Sequence, residues 1–284
     1  MGAAFSAAVL AQTFPPYGPG YGKNNQGPTD PSTGQTEWTK QQVRSIEQSG
    51  FRSERTPIAP DIVRSRRSSL KPSNETLKRL KVQDGDLAPY REFLQGGGTG
   101  VLKLLPTIVC PRKGKRVDVE CEIRRYNLWL FANSYSFQVG KYVPPVFGDF
   151  ALVDGKVDSW DNRKQTILGT IGDVSLQDVT LQSEGCKFLA DFAPATTVEG
   201  VRDQAVKIAN GVTDGRYTYS RIVTAELNNT IVMRSIEYST GEPAASPNAD
   251  VIVAMRVIKK DADGSITLIW KELDRKAAPA LVLQ

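Results

Sequence analysis

Near the C-terminus, Asp250–Lys260 and Ser265–Leu273 form two β-branched, apolar runs joined by Asp261-Ala-Asp-Gly264, a short polar segment ending in glycine. That pattern predicts a β-hairpin, because a period of two fits a pleated strand and Asp and Gly suit the turn. A lone hairpin is not stable in water, so the chain must supply further strands to pack with it. The preceding sequence offers them at Val101–Val109, Val117–Ile123, Leu128–Gln138, Phe150–Val157 around an Asp154-Gly155 turn, Gln165–Ile171, Val174–Leu181 and Lys187–Phe192. One helix interrupts the series: Thr196 and Glu199 stand in capping-box relation, and Val201, Ala205, Ile208 and Ala209 recur at helical spacing before Asn210-Gly211. The expected fold is α+β and β-dominated, a largely antiparallel sheet or sandwich with one packed helix.

Residues 1–84 read differently. They are crowded with Gly, Pro, Ser, Thr, Gln and Asn and hold 12 Lys and Arg against 7 Asp and Glu, whereas residues 85–284 hold 24 of each sign. The net charge of +5 therefore belongs to a basic N-terminal arm, and residues 85–284 are expected to form one globular domain. Within the arm, Ser73 or Asn74 can cap a short helix running to Lys81, and a second helix is expected over Leu87–Gln95, stopped by Gly96-Gly97-Gly98. That glycine cluster leads into a strand and lacks a following Gly-Lys-Ser/Thr, which argues against a phosphate loop. The densest positive charge, Arg64, Arg66, Arg67, Lys78, Arg79 and Lys81, is a candidate anion-binding segment for nucleic acid or lipid headgroups. The balanced charge of the folded domain and the absence of interleaved aromatic residues argue against nucleic acid.

Histidine is absent altogether. This removes Ser-His-Asp, Cys-His and His-based zinc chemistry and leaves carboxylate, Lys, Tyr or Ser-Lys mechanisms. For a carboxylate-dependent hydrolase such as a glycosidase, the candidates are Asp149, Asp154, Asp158, Asp161, Asp173 and Asp178, residue types that are ordinarily solvated turn formers. Asp261 and Asp263 lack the other ligands of a calcium loop and read as a plain turn. No catalytic residue, metal site or cofactor is expected. Tyr126, Trp129, Phe131, Tyr135 and Phe137 alternate with polar neighbours and are expected on one sheet face, as core.

Of the three cysteines, Cys110 and Cys121 flank Pro111-Arg-Lys-Gly-Lys-Arg116, a basic turn between two expected strands. They form a disulfide in an oxidising compartment and remain two thiols in a reducing one; Cys186 is expected as a buried, small apolar residue. Residues 1–11 contain a short apolar run ending in Val9-Leu10-Ala11, similar to a truncated secretory signal, while Met1-Gly2-Ala-Ala-Phe-Ser6 also fits an N-myristoylation pattern. No run is long enough to span a bilayer as a helix.

Asn133-Ser-Tyr-Ser-Phe137, Leu168–Leu181 and Trp270-Lys-Glu-Leu273 together resemble a group of uncharacterised bacterial proteins, often exported, over about Gly100 to Lys276. The resemblance implies the same domain and favours export, and it carries no activity. The expected function is that of a non-catalytic exported or cell-envelope protein, periplasmic, surface-bound or extracellular, which binds a protein or an envelope surface.

Overall fold

The computed structural model describes residues 71–113, 116–159, 164–238 and 248–281. These belong to a compact unit beginning at Lys71. The leader-like segment 1–11, the cations Arg64, Arg66 and Arg67, and Asp161 lie outside the described residues.

Helices α1 (Asn74–Leu80) and α2 (Asp84–Leu87) precede strand β1 (Thr99–Leu104). A ribbon of two-residue strands, β2 (Arg112–Lys113) and β3 (Arg116–Val117), leads into helix α3 (Val119–Phe131). Strands β4 (Ser134–Ser136), β5 (Lys141–Tyr142), β6 (Phe150–Val153), β7 (Lys156–Asp158) and β8 (Lys164–Gly172) follow. Helices α4 (Lys187–Asp191) and α5 (Val198–Asn210) then give way to β9 (Val212–Asp214), β10 (Tyr217–Ser220), β11 (Ile222–Thr224), β12 (Thr230–Glu237), β13 (Ala249–Lys260) and β14 (Ile266–Ala277).

The architecture is the β-dominated α+β fold that the alternation implies. A seven-stranded sheet runs β1-β14-β13-β12-β8-β10-β9 and a five-stranded sheet β11-β7-β6-β4-β5, and the strand pairs are antiparallel. The larger sheet is covered on both faces. Val251, Val253, Met255 and Val257 of β13, with Leu102 and Leu104 of β1 and Ile231 and Met233 of β12, meet Tyr135, Phe137, Phe150, Leu152 and Val157 of the smaller sheet. On the opposite face, Ala254, Val232, Ile167 and Ile269 pack under Leu176, Val179, Cys186, Leu189 and Ile208. This double cover explains why Val251–Met255 is uninterruptedly apolar. Each fully buried aliphatic side chain of this kind contributes about 1.5–3 kcal/mol.

Two large aromatic side chains lie flat across glycines of a neighbouring strand. Gly100 pairs in register with Trp270 and Gly169 with Tyr219; a Cβ at Gly100 would come within 2.6 Å of the indole, and one at Gly169 within 2.7 Å of the phenol ring. Tyr219 is then fixed from above by stacking on Phe188 at 4.3 Å and by donating its hydroxyl to Gly185 O at 2.7 Å.

Several segments differ from the sequence expectation. Of Val117–Ile123 only Val117 is in a strand, and the first part of Leu128–Gln138 is not one: residues 119–131 form α3, capped by Asp118, whose carboxylate accepts from Cys121 N at 3.0 Å, with Glu120 and Glu122 in the first turn. A carboxylate cap and acidic first turn complement the helix dipole, and this outweighs the period-two look of Val117, Val119, Cys121 and Ile123. Tyr126, Trp129 and Phe131 consequently sit on α3, while Tyr135 and Phe137 enter the sheet core. Val174–Leu181 is a succession of turns that buries Leu176 and Val179, and Lys187–Phe192 contains the short helix α4. Strand β1 stops at Leu104, short of Val109, and Leu87–Gln95 breaks into the end of α2 and two 3-10 turns around Pro89. The helix cap before α5 is Thr197, one residue later than expected, accepting from Gly200 N at 3.1 Å.

Candidate functional site

Three places gather polar or charged side chains: a cluster between the two sheets, an ion pair on the other face of the large sheet, and the surface around the cysteines. Between the sheets, Asp149 is fully buried. Its carboxylate accepts from Lys164 Nζ at 2.8 Å and Ser235 Oγ at 3.0 Å, and from the backbone N–H groups of Phe137 and Gln138. Lys164 Nζ also donates to Ser136 Oγ at 3.1 Å and Phe147 O at 3.0 Å, and lies 3.3 Å from the Glu237 carboxylate. Gln138 bridges onward by donating to Ser235 O and Ala249 O.

The Ser136–Lys164 contact has the composition of a Ser-Lys nucleophile pair, the kind of chemistry left open by the lack of histidine. Such a pair needs a neutral amine acting as base and a hydroxyl that substrate can reach. Here the amine faces two carboxylates and donates to three acceptors, as an ammonium does, and Ser136 is fully buried. The cluster therefore works as an electrostatic tie between the sheets.

On the other face, Arg234 of β12 makes a bidentate pair with Asp250 of β13, at 2.8 Å from Nε and 2.6 Å from Nη2. Its Nη1 donates to Leu189 O and Phe192 O, both at 2.6 Å. These are carbonyls at the C-terminal end of α4, which a five-residue helix leaves without intrahelical donors. Arg234 thus docks the helix to the sheet, with its guanidinium 5.9 Å from the Phe192 ring centre.

The other candidate carboxylates do not join Asp149 in an open cleft. Lys164 stands at the start of β8 and Asp173 just beyond its end, which separates Asp149's partner from Asp173 by roughly 30 Å at strand rise. Asp173 pairs with Arg256, Asp154 occupies a left-handed turn position at φ 49°, and Asp178 lies in the turns after β8. Burial raises the pKa of Asp158 against the lowering effect of Arg221 and Lys156. In the β13–β14 turn, burial opposes ionisation of Asp263, but Ser265 and Arg79 outweigh it and bring its pKa down to about 2. Asp261 is held by Lys103 at 2.6 Å and by Ser265, so both turn carboxylates bind cationic and hydroxyl side chains of the protein. Among the described residues, no group of three His, Cys, Asp or Glu is placed to hold a metal ion. A shallow depression beside Gln182, Glu184, Lys187 and Tyr217 has its charges matched, Glu184 to Arg216 and Lys187 to Asp191.

Of the basic residues singled out from the sequence, Lys78 and Arg79 occupy the last turn of α1. Arg79 is tied to Asp263 at 2.7 Å, whereas Lys78 and Lys81 are exposed and form no ion pair among the described residues. Helix α1 is attached to α3 through Asn127, which accepts from Ser73 N at 3.0 Å and Thr76 Oγ1 at 2.8 Å and donates to Lys71 O at 3.0 Å.

Beside this helix pair lies the disulfide Cys110–Cys121, with Cα atoms 5.7 Å apart. It closes the β2–β3 ribbon onto the first turn of α3. Val109, next to Cys110, and Ile123, two residues beyond Cys121, are exposed at 76% and 49%, and Leu77 on α1 at 45%. Cys186 is buried and unpaired, and burial pushes its thiol up to about 11, an inert state. Replacing Cys110 and Cys121 together by serine is expected to destabilise the protein by about 2–3 kcal/mol, for a loop of this length, lowering the melting temperature by roughly 5–10 °C. Calorimetry of the oxidised protein against the double variant checks this.

The chain matches no protein-family model, no curated protein and no solved structure. Its functional reading therefore rests on its own geometry. What the sequence did not reveal was that Cys121 sits on a helix to which α1 is bonded through Asn127; the usable signal was Asp118 ahead of two glutamates, which would have placed Cys121 on a helix.

Proposed function

We propose that the chain is a non-catalytic exported or cell-envelope protein whose β-rich body carries a binding surface. The observation that carries this reading is the Cys110–Cys121 disulfide, because such bonds persist in oxidising compartments and are rare in reducing ones. The interior supports it too. The reactive-looking groups, Ser136, Lys164, Asp149, Arg234 and Asp250, are consumed in holding layers together, while Val109 and Ile123, next to the two cysteines, are exposed. No helix among the described residues is long and apolar enough to cross a membrane. The resemblance to exported bacterial proteins points the same way.

The compartment is tested by quenching intact cells in acid, which traps the thiol state, and then alkylating the denatured protein before and after reduction, since Cys186 is buried in the folded protein. One labelled cysteine before reduction and three after it, in a protein recovered outside the cytoplasm, is the expected result. Three labels before reduction, in the cytosolic fraction, would overturn the proposal.

A further inference from the structure

We propose that Lys164 and Asp149 condense, with Glu237 relaying the proton, into an intramolecular amide bond that ties the two sheets covalently. The inference goes beyond the reading of an envelope protein, and because the step needs no oxidant it does not depend on the compartment. Asp149 directly precedes β6 of the small sheet, and Lys164 opens β8 of the large one. Their side chains are 0% and 7% exposed, and Lys164 Nζ lies 2.8 Å from Asp149 Oδ1. The carboxyl carbon is one bond of about 1.23 Å further on, at most roughly 4 Å from the nitrogen. That is close to the roughly 3–3.5 Å of a near-attack geometry, and a fixed contact of this kind supplies an effective molarity of about 10⁵–10⁸ M. Other ion pairs lack these conditions. Lys103–Asp261 and Lys259–Asp86 are partly exposed on both sides, and Arg234, buried against Asp250, cannot give up a proton.

The reacting form is the neutral one, an amine and a carboxylic acid. Lys164 Nζ touches two carboxylates, that of Asp149 and, at 3.3 Å, that of Glu237, so an ammonium proton has acceptors in contact. Burial lowers the cost of the transfer, because it replaces two desolvated charges by neutral groups. A Ser-Lys enzyme needs this state at every turnover, whereas a bond formed once per molecule needs to visit it only rarely. One ammonium proton passes to Asp149 Oδ1, the Nζ lone pair attacks the carboxyl carbon, and the N–C bond forms. Negative charge gathers on Oδ2, which already accepts from Phe137 N at 2.5 Å and Gln138 N at 3.4 Å, donors in the position of an oxyanion hole. Glu237 takes a second proton from the nitrogen and delivers it to Oδ1. The C–Oδ1 bond then breaks, water leaves and Glu237 is again a carboxylate. One ammonium and one carboxylate become one amide and one water, with no co-reactant. Before condensation the pair ties the sheets electrostatically; after it, breaking the tie costs more than loss of the ion pair alone.

Mass spectrometry of the full-length protein, reduced, alkylated and digested with trypsin, tests the assignment. Trypsin does not cut after an acylated lysine, so the expected product is the peptide of residues 142–156 joined to that of residues 164–187, lighter by one water than the sum of its two parts. Lys164→Arg, which keeps the charge and has no nucleophilic amine, should give no joined peptide. Glu237→Gln, with an unchanged circular dichroism spectrum, should slow the appearance of the joined peptide in newly synthesised protein about 100-fold or more. Folded wild-type protein, aged for days, that yields only separate peptides cut at Lys164 overturns the proposal without recourse to any variant. A joined peptide that is linked through a residue other than Asp149, or that forms at an undiminished rate in Glu237→Gln, overturns it as well. The thiol count is independent of these results, so the bond and the compartment stand or fall separately.

Discussion

Arg234→Met is expected to lower the unfolding free energy by about 3–5 kcal/mol, because it strands Asp250 as a buried charge. Asp250 is fully buried, and apart from Arg234 its nearest cation is Lys276, at 3.7 Å. The substitution also removes the donor to Leu189 O and Phe192 O, so α4 loses its attachment to the sheet in the same step. In a unit of this size the melting temperature should fall by roughly 10 °C or more. Adding Asp250→Leu should return a large part of the loss, since a buried pair replaced by apolar side chains is often close to neutral. The remaining deficit should reflect the two carbonyls left without a donor, about 1–3 kcal/mol each. Equilibrium denaturation of both single variants and the double variant measures the coupling. If Arg234→Met alone costs under about 1 kcal/mol, the guanidinium is not the link between helix and sheet.

The layers of the fold were legible in the sequence where one physical signal acted alone. Strands β8, β13 and β14 and the β6–β7 hairpin around Asp154-Gly155 are where alternation and turn residues place them, since their flanking Asp and Gly admit no helical alternative. Helix α5 and the cap at Ser73 were equally readable. Legibility failed where two periods coexist. In Val117–Ile123 every second residue is apolar, yet Cys121, Leu128 and Ala132 also lie near helical spacing and are buried, the latter two in the small core with Leu105. The cap at Asp118 decides between the two, and a window that counts apolar residues does not weigh caps. In Val174–Leu181 the apolar residues are buried without any ladder: a chain of turns lies over the large sheet, and Ser175, Leu176 and Thr180 carbonyls accept from residues three further on.

The site was less legible than the fold for a different reason. Several charge partners in this protein are far apart in sequence: Arg79 meets Asp263 at a separation of 184 residues, Lys259 meets Asp86 at 173, and Arg256 meets Asp173 at 83. Composition identifies such residues as charged and says nothing of whether a partner awaits them. Of the cations singled out as anion-binding, Arg79 is thereby neutralised by the β13–β14 turn, whereas Lys78, one residue earlier, stays exposed beside Leu77. The Cys110–Cys121 bridge was foreseeable because its span is short, so local spacing carried the information that the long-range ion pairs withheld.

Lys164→Met should be nearly as damaging as the loss of Arg234, about 3–5 kcal/mol, but its rescue should fail, and that contrast identifies what each pair does. Asp149 receives more than the ammonium: Ser235 Oγ and two backbone N–H groups, of Phe137 and Gln138, converge on the same carboxylate. Replacing Asp149 by leucine in the Lys164→Met background would therefore leave these donors buried without acceptors, at about 1–3 kcal/mol each. It would also leave Phe147 O and Ser136 Oγ without the Lys164 donor. The double variant is expected to be no more stable than Lys164→Met alone, in opposition to the partial recovery at Arg234–Asp250. Ser136→Ala, which removes one hydrogen bond at 3.1 Å, should cost only about 1 kcal/mol. Urea denaturation of the four proteins gives the comparison directly. Recovery of stability by the apolar pair at 149 and 164 would mean that the carboxylate is held by the lysine alone. The loss of recovery would show that Asp149 organises the backbone at Phe137 and Gln138, with Lys164 neutralising a charge which that backbone requires.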